Sequence, residues 1–272
     1  MDCGHEPPGI LAFVGDLQGR AALISGAGRG IGRALALALA RAGADVSVVA
    51  RSGDQVEAVR AEAASFGVRA VARSFDLGDP EQAAGAVEWA CQSLGGLDIL
   101  VHAAGHQVVA PALEFSLTDW ERVLGVHLTS AFVLAQAFGR QARRRVDTAT
   151  RGSPRDRSII FVGSLTSERM ATAGTVAYNA AKSGLLGLMR TLAVEWAADG
   201  IRVNAILPGF FRTEMTKVLE ADPAGRELVA RAPMGRWGDP EELGALAVLL
   251  AGAGGGFLTG ASITVDGGWS VA

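Results

Sequence analysis

Along the chain, short β-branched runs alternate with longer Ala- and Leu-rich stretches whose apolar positions recur at helical spacing. The runs predict strands at 21–25, 45–50, 68–75, 98–102, 158–163, 201–206 and 261–265. The stretches between them predict helices near 31–42, 54–65, 80–94, 118–144, 176–199 and 240–251. Such alternation builds βαβ units with right-handed crossovers, hence a parallel sheet covered by helices on both faces. The helix at 31–42 is apolar nearly all round, which wedges it against that sheet. No internal repeat and no linker marks a second domain, so residues 17–272 read as one domain behind a loose arm at 1–16.

Two segments break the rhythm. Residues 143–157 are polar and basic and read as a solvated surface loop in preference to a nucleic-acid patch. Residues 210–237 mix Phe, Met and charges around Pro223 and Pro233, and their place after a strand suggests a lid. The uncharged stretch 244–265 is long enough to cross a membrane, but five glycines interrupt it, so a buried helix, a turn and a strand are expected instead.

Composition narrows the picture. With 272 residues, 49% of them hydrophobic and 19% charged, and 36 glycines, the chain suits a buried parallel sheet joined by tight turns. A net charge of −3 argues against nucleic acid or an anionic membrane as partner. Cys3 and Cys91 make no disulfide framework and read as free thiols in a reducing compartment. The N-terminus lacks the basic start of a secretory signal, so the expected location is cytoplasmic.

Two motifs carry chemistry. The first, Ser25-Gly26-Ala27-Gly28-Arg29-Gly30-Ile31-Gly32, follows a predicted strand and opens a helix. Gly26 would permit the tight turn, Gly30 the approach of a pyrophosphate, and Gly32 helix–strand packing, with phosphates on the helix N-terminus. Where an NAD site places an acid at the end of the second strand, this chain reads Val49-Ala50-Arg51-Ser52. Arg51, with Arg29 facing it, can pair with a 2′-phosphate, which favours NADP(H) over NAD(H). The second motif is Tyr178 and Lys182, four apart on one helix face, with Ser164 upstream. A free phenol has a pKa of about 10. A neighbouring ammonium is expected to lower it, while Ser164 holds a substrate oxygen and Tyr178 gives or takes the proton. No metal site is assigned.

With these landmarks in order, the chain resembles the short-chain dehydrogenase/reductase family from about residue 17 to 269. The likeness takes in the glycine turn, Asp76-Leu77, Ala103-Ala104-Gly105, Ser164, Tyr178, Lys182, Asn204, Pro208-Gly209, Thr213, Leu258-Thr259-Gly260 and Asp266-Gly267-Gly268. It implies a single doubly wound Rossmann-type α/β domain with a parallel seven-stranded sheet. It also implies that Asp76 and Leu77 flank the adenine, that Ala103 to Gly105 line the cofactor floor, and that Phe211 and Thr213 seat the carboxamide. Ile31, Pro208 and Gly209 join the cofactor set, and Lys182 also holds the ribose. Asp98 and Asn204 read as structural hydrogen bonders. Members are homotetramers or homodimers.

The chain departs from the family at three points. His102-Ala103-Ala104-Gly105 stands where the family has Asn-Asn-Ala-Gly. His127 replaces an asparagine that helps to hold a relay water; it is either a proton relay or a buried structural histidine. One extra residue separates Ser164 from Tyr178 and is expected to reshape the loop at 165–177. Thr166-Ser167-Glu168 is similar to gluconate 5-dehydrogenases, which would bring Glu168 or Arg169 to a polar substrate, whereas Phe210, Phe211 and Met215 favour an apolar ketone. The function expected is hydride transfer between NADP(H) and a carbonyl or secondary alcohol. The alternative is a catalytically weak dinucleotide-binding regulatory protein.

Overall fold

The computed structural model describes residues 16–148, 156–169 and 173–272, with backbone alone at 145–148. The arm at 1–16, Asp16 apart, and residues 149–155 of the basic stretch at 143–157 lie outside them. Seven strands, β1 (Ala21–Ser25), β2 (Asp45–Ala50), β3 (Ala70–Ser74), β4 (Ile99–His102), β5 (Arg157–Val162), β6 (Ile201–Pro208) and β7 (Ser262–Val265), form one sheet. Its order is β3-β2-β1-β4-β5-β6-β7, with every pairing parallel. The order reverses between β1 and β4, and in open α/β sheets ligands bind in the crevice at the carboxyl ends of the strands at such a point.

Helices cover both faces. On one side α1 (Gly30–Arg41), α2 (Gly53–Ala64) and α9 (Gly244–Ala251) bury Leu35, Leu39, Val56, Val59 and Leu250 against Ile24, Val48 and Ile160 of the sheet. On the other, α3 (Pro80–Leu94), α5 (Ser130–Thr148) and α6 (Val176–Trp196) bury Val87, Leu134, Phe138, Leu185 and Met189 against Leu23, Leu100, Ile159 and Val203. Burying strands on both faces is why they read as continuous apolar runs. The sequence also sets helix ends locally: α3 starts at Asp79, whose side chain accepts from Glu81 N and Gln82 N, with Pro80 at the first turn, and stops at Gly95 in the left-handed region.

Strand positions match the expectation to within a few residues. One helix does not: the single helix expected at 118–144 is α4 (Leu117–Leu124), a π-helical turn (Gly125–Thr129) and then α5. A π turn inserts one extra residue and often marks a functional position; here it carries His127. The expected lid at 210–237 contains two short helices, α7 (Lys217–Ala221) and α8 (Pro223–Ala230). Arg212 ties its base by ion pairs to Glu220 at 2.9 Å and Asp239 at 2.8 Å. Among the described residues no helix is long and apolar enough to cross a membrane.

Candidate active site

The glycine turn leaves β1 and enters α1 directly under β4. Gly26 has φ +67°, and a Cβ there would sit 2.6 Å from the Ala104 backbone. A Cβ on Gly32 would lie 2.2 Å from the Gly26 carbonyl oxygen, so Gly32 lets α1 pack onto the turn itself. Arg29 occupies the N-cap of α1 without a side-chain capping bond, and the first turn holds no acid. The N–H groups that open α1 therefore face a cavity with their dipole uncompensated.

Two neighbouring cavities meet at Arg29 and Gly105. The first, about 240 Å³, is lined by Gly26, Arg29, Arg51, Asp76, Leu77 and Ala104. The second, about 180 Å³, is lined by Gly30, Ile31, Gly32, Ala103, Pro208, Gly209, Phe211 and Thr213 together with His127, Ser164, Tyr178 and Lys182. Every candidate catalytic and cofactor residue read from the sequence thus borders one cavity or the other. The first also takes in Ser52, Gln55 and His106, and the second Glu214 and Thr216, none of which the motifs pointed to, while Met215, expected to favour an apolar ketone, borders the second. Ser52 and Gln55 had a signal, their place just after Arg51 at the start of a helix. Among the described residues no ion pair engages Arg29 or Arg51, whereas neighbouring Arg33 is paired with Glu62.

Ser164 lies two residues past the end of β5 and caps a short 3-10 turn (Leu165–Ser167). Its backbone N–H donates to Ser167 Oγ at 3.1 Å, and its own Oγ accepts from the Thr166 N–H at 3.2 Å and from Thr166 Oγ1 at 3.1 Å. Tyr178 and Lys182 come from α6. Lys182 is 4% exposed and donates from Nζ to the Val162 carbonyl at 2.6 Å; burial pushes its pKa down to about 7. Its Nζ lies 5.7 Å from the centroid of the Tyr178 ring.

The expected depression of the Tyr178 pKa by the ammonium is corrected here. Burial raises the phenol above its ordinary value, and the opposing pull comes from the Ser164 hydroxyl. The reason is placement: the Lys182 ammonium is committed to the Val162 carbonyl and is itself destabilised by burial, so it offers little to the phenolate.

Three of the chain's four histidines gather beside this pair. The His127 ring meets Tyr178 edge-on at 5.2 Å and stacks on His106 at 6.2 Å. Its Nε2 lies 2.7 Å from the His106 carbonyl and 3.1 Å from the His106 N–H, while Nδ1 is buried without a hydrogen-bond partner. Burial first, and the Lys182 charge second, hold His127 neutral well below its usual range. His102, wholly buried, has Nδ1 2.9 Å from Ser25 Oγ and Nε2 3.3 Å from the His127 carbonyl; burial and Lys182 push its pKa down to about 3. The carbonyl that His102 meets belongs to the π turn. A glycine inside the predicted helix, Gly125, was the available sign of it. Among the described residues no group of three or more His, Cys, Asp or Glu is placed to hold a metal ion.

Other candidates fall outside the cavities. Glu168 accepts from Ser262 Oγ at 2.8 Å on the edge strand, and Arg169 is exposed. Asp98 accepts from Ala21 N, and Asn204 spans Leu258 O and Ala261 N, as expected of structural residues. Part of the loop at 165–177, residues 170–172, lies outside the described residues.

Comparison with known proteins gives consistent relatives. The family profile described as "Enoyl-(Acyl carrier protein) reductase" matches residues 26–270. Gluconate 5-dehydrogenase of Gluconobacter oxydans is 35% identical over 257 residues, covering 94% of this chain and 96% of that one. A short-chain type dehydrogenase/reductase from Mycobacterium marinum superposes with a TM-score of 0.87 at 35% identity, covering 95% of this chain and 98% of its own. A Beutenbergia cavernae protein described as an NAD(P)-dependent gluconate 5-dehydrogenase, with bound NADP at low occupancy, has a TM-score of 0.87 at 39% identity, covering 95% of this chain and all of that chain.

Proposed function

The chain belongs to the short-chain dehydrogenase/reductase family, and from that premise we propose that it is an NADP(H)-dependent oxidoreductase acting on a CH–OH or C=O group of a small polyol or keto-sugar acid. The observation that carries this is one continuous site. Ser164, Tyr178 and Lys182 border a cavity that joins, at Arg29 and Gly105, the one holding Arg51. The residues fit NADP(H): Arg29 and Arg51, which make no ion pair among the described residues, border one cavity beside an uncapped helix N-terminus, and no acid ends β2 to repel a 2′-phosphate. Arg29 and Arg51 would hold that phosphate, Gly26, Gly30, Ile31 and Gly32 the pyrophosphate, Asp76 and Leu77 the adenine. Ala103, Ala104, Gly105, Pro208, Gly209, Phe211 and Thr213 would line the remaining length of the cofactor.

Bound NADP(H) supplies the hydride donor or acceptor. The chain's own residues handle the oxygen and its proton. Ser164 orients the substrate oxygen by donating a hydrogen bond, and Tyr178 delivers the proton in reduction or removes it in oxidation. Lys182 would hold the ribose. His127, whose Nε2 is engaged by the His106 backbone and whose Nδ1 has no partner among the described residues, stands in for the relay asparagine. The segment 210–237 acts as the lid. Phe132 on α5 and Val194 on α6 are exposed and support assembly as a homotetramer or homodimer through those helices. The enzyme works in the cytoplasm.

The test is fluorescence titration with NADPH and NADH, followed by turnover of 5-ketogluconate and a panel of ketones. NADPH should bind at least about tenfold more tightly than NADH, a difference of about 1.4 kcal/mol. Arg51→Asp should remove that preference, and Tyr178→Phe should abolish turnover while keeping binding. Failure to bind either nucleotide would sink the proposal; binding without turnover would favour the regulatory alternative.

A further inference from the structure

A hydroxyl group carries one proton and two acceptor lone pairs, and which of them faces the chemistry decides what it can stabilise. Ser164 Oγ accepts two hydrogen bonds from one residue, the backbone N–H and Oγ1 of Thr166. The first is the local bond that any serine makes at such a turn. The second exists because residue 166 is threonine. With both lone pairs engaged, the Ser164 hydroxyl has only its proton left to offer.

The turn that imposes this is held on every side. Leu165 is 2% exposed, the Ser167 carbonyl accepts from Ser183 Oγ of α6 at 3.1 Å, and Ser167 Oγ accepts from the Ser164 N–H. A Cβ on preceding Gly163 would lie 2.4 Å from Leu207 Cδ2 and 3.3 Å from Ser167 Oγ, so the turn packs closely against β6 and its own side chain. The Ser164 side chain bonds to the phenol and pulls it toward ionisation, against the effect of burial, and with both its lone pairs taken by Thr166 the serine's part in that bond is the donor's. The other groups near the phenol are Lys182 on its own helix, engaged with Val162, and the neutral His127 from the π turn, with His106 stacked behind it.

We propose that Thr166 is a positioning residue that fixes Ser164 as a one-way hydrogen-bond donor, toward the Tyr178 oxygen at rest and toward the substrate oxygen during reaction. A serine released from Thr166 can turn and accept from the phenol instead, which stabilises the protonated form and leaves no donor where negative charge develops on oxygen. Thr166 thus sets the polarity of the pair, and does so through Ser164 without touching the reacting atoms. This inference rests on the reading of Ser164 and Tyr178 as the reacting pair.

The chain offers an unusually direct test, since Tyr178 is its single tyrosine. Ultraviolet difference titration of tyrosinate in the ligand-free protein therefore reports this one phenol. Wild type, Thr166→Val, Thr166→Ser and Ser164→Ala are compared. Thr166→Val should raise the midpoint by about half a pH unit, a roughly threefold gain in proton affinity, in the direction of Ser164→Ala, and Thr166→Ser should restore the wild-type value. With 5-ketogluconate and NADPH, kcat of Thr166→Val should fall about 3- to 10-fold while KM stays within about twofold. If Thr166→Val titrates with wild type while Ser164→Ala shifts, or if Thr166→Ser behaves as Thr166→Val, the assignment is overturned. A midpoint unchanged even in Ser164→Ala overturns it too, because no donor bond then reaches the phenol. Should wild type turn over no carbonyl, the proposed function falls, and the titration still decides the role of Thr166.

Discussion

Lys182 is a charge placed where the fold disfavours charge, and replacing it with methionine converts that statement into a measurable stability. The ammonium is 4% exposed, bonds one carbonyl, and has its pKa pushed from 10.5 down to about 7 by burial. That shift corresponds to about 5 kcal/mol of folding stability withheld whenever the group is charged. The unfolded chain holds this proton up to about pH 10.5 and the folded chain only to about 7, so between those values the unfolded state binds more protons and stability rises with pH. Below about pH 7 the full penalty applies. Methionine has similar length, fills the same space and removes the penalty, but leaves the Val162 carbonyl without this donor, which costs about 1–3 kcal/mol. Near pH 6, Lys182→Met should therefore be more stable than wild type by about 2–4 kcal/mol, a Tm gain of roughly 5–10 °C. The gain should shrink through pH 8 and reverse near pH 10. Thermal denaturation of the ligand-free protein by circular dichroism at several pH values measures it, with Lys182→Arg as the permanently charged control. A Lys182→Met variant uniformly less stable than wild type, with no pH trend in the difference, would refute the burial argument. Its inactivity would show that the strained charge is kept for function.

Further outcomes follow from the same packing. In Gly105→Ala the new Cβ would lie 2.2 Å from His127 Cε1, an overpacking cost of about 1–3 kcal/mol; urea denaturation should show Gly105→Ala and His127→Asn to be non-additive, because the shorter side chain relieves the clash. His102, with its pKa at about 3, stays neutral in the fold while the unfolded chain protonates it from about 6.5 downward, so it withdraws stability as pH falls across that window. His102→Asn should consequently lose about 2–3 kcal/mol less than wild type between pH 6.5 and 4.5, read from urea midpoints; equal acid slopes would show that His102 is not buried neutral. Gly26→Ala, at φ +67° and 2.6 Å from the Ala104 backbone, should destabilise the protein and abolish NADPH binding, measured by thermal shift and fluorescence titration.

The strand at 21–25, the turn through Gly26 and Gly32, and the four-residue step from Tyr178 to Lys182 were legible in sequence for one reason. Each is fixed by backbone geometry over a few residues, which side-chain period and glycine placement record directly. The same local grammar gave α3 its start at Asp79 and its stop at Gly95. Arg51 could be read as a specificity residue because the end of β2 is set by where its apolar run stops. The break in the helix at 125–129 was marked only by Gly125, since α and π turns share one apolar stripe.

What the chain's sequence determined, then, was the order of its seven strands and helices and the residue types at one crevice. What the tertiary structure alone decided was the state of those residues. Lys182 is driven toward neutrality, the Tyr178 phenol is raised and not lowered, Ser164 is turned into a donor, and Glu168 is drawn away to Ser262. Protonation and hydrogen-bond direction depend on desolvation and on partners brought from distant positions, such as Val162 or His106, and neither quantity is written in the spacing along a chain.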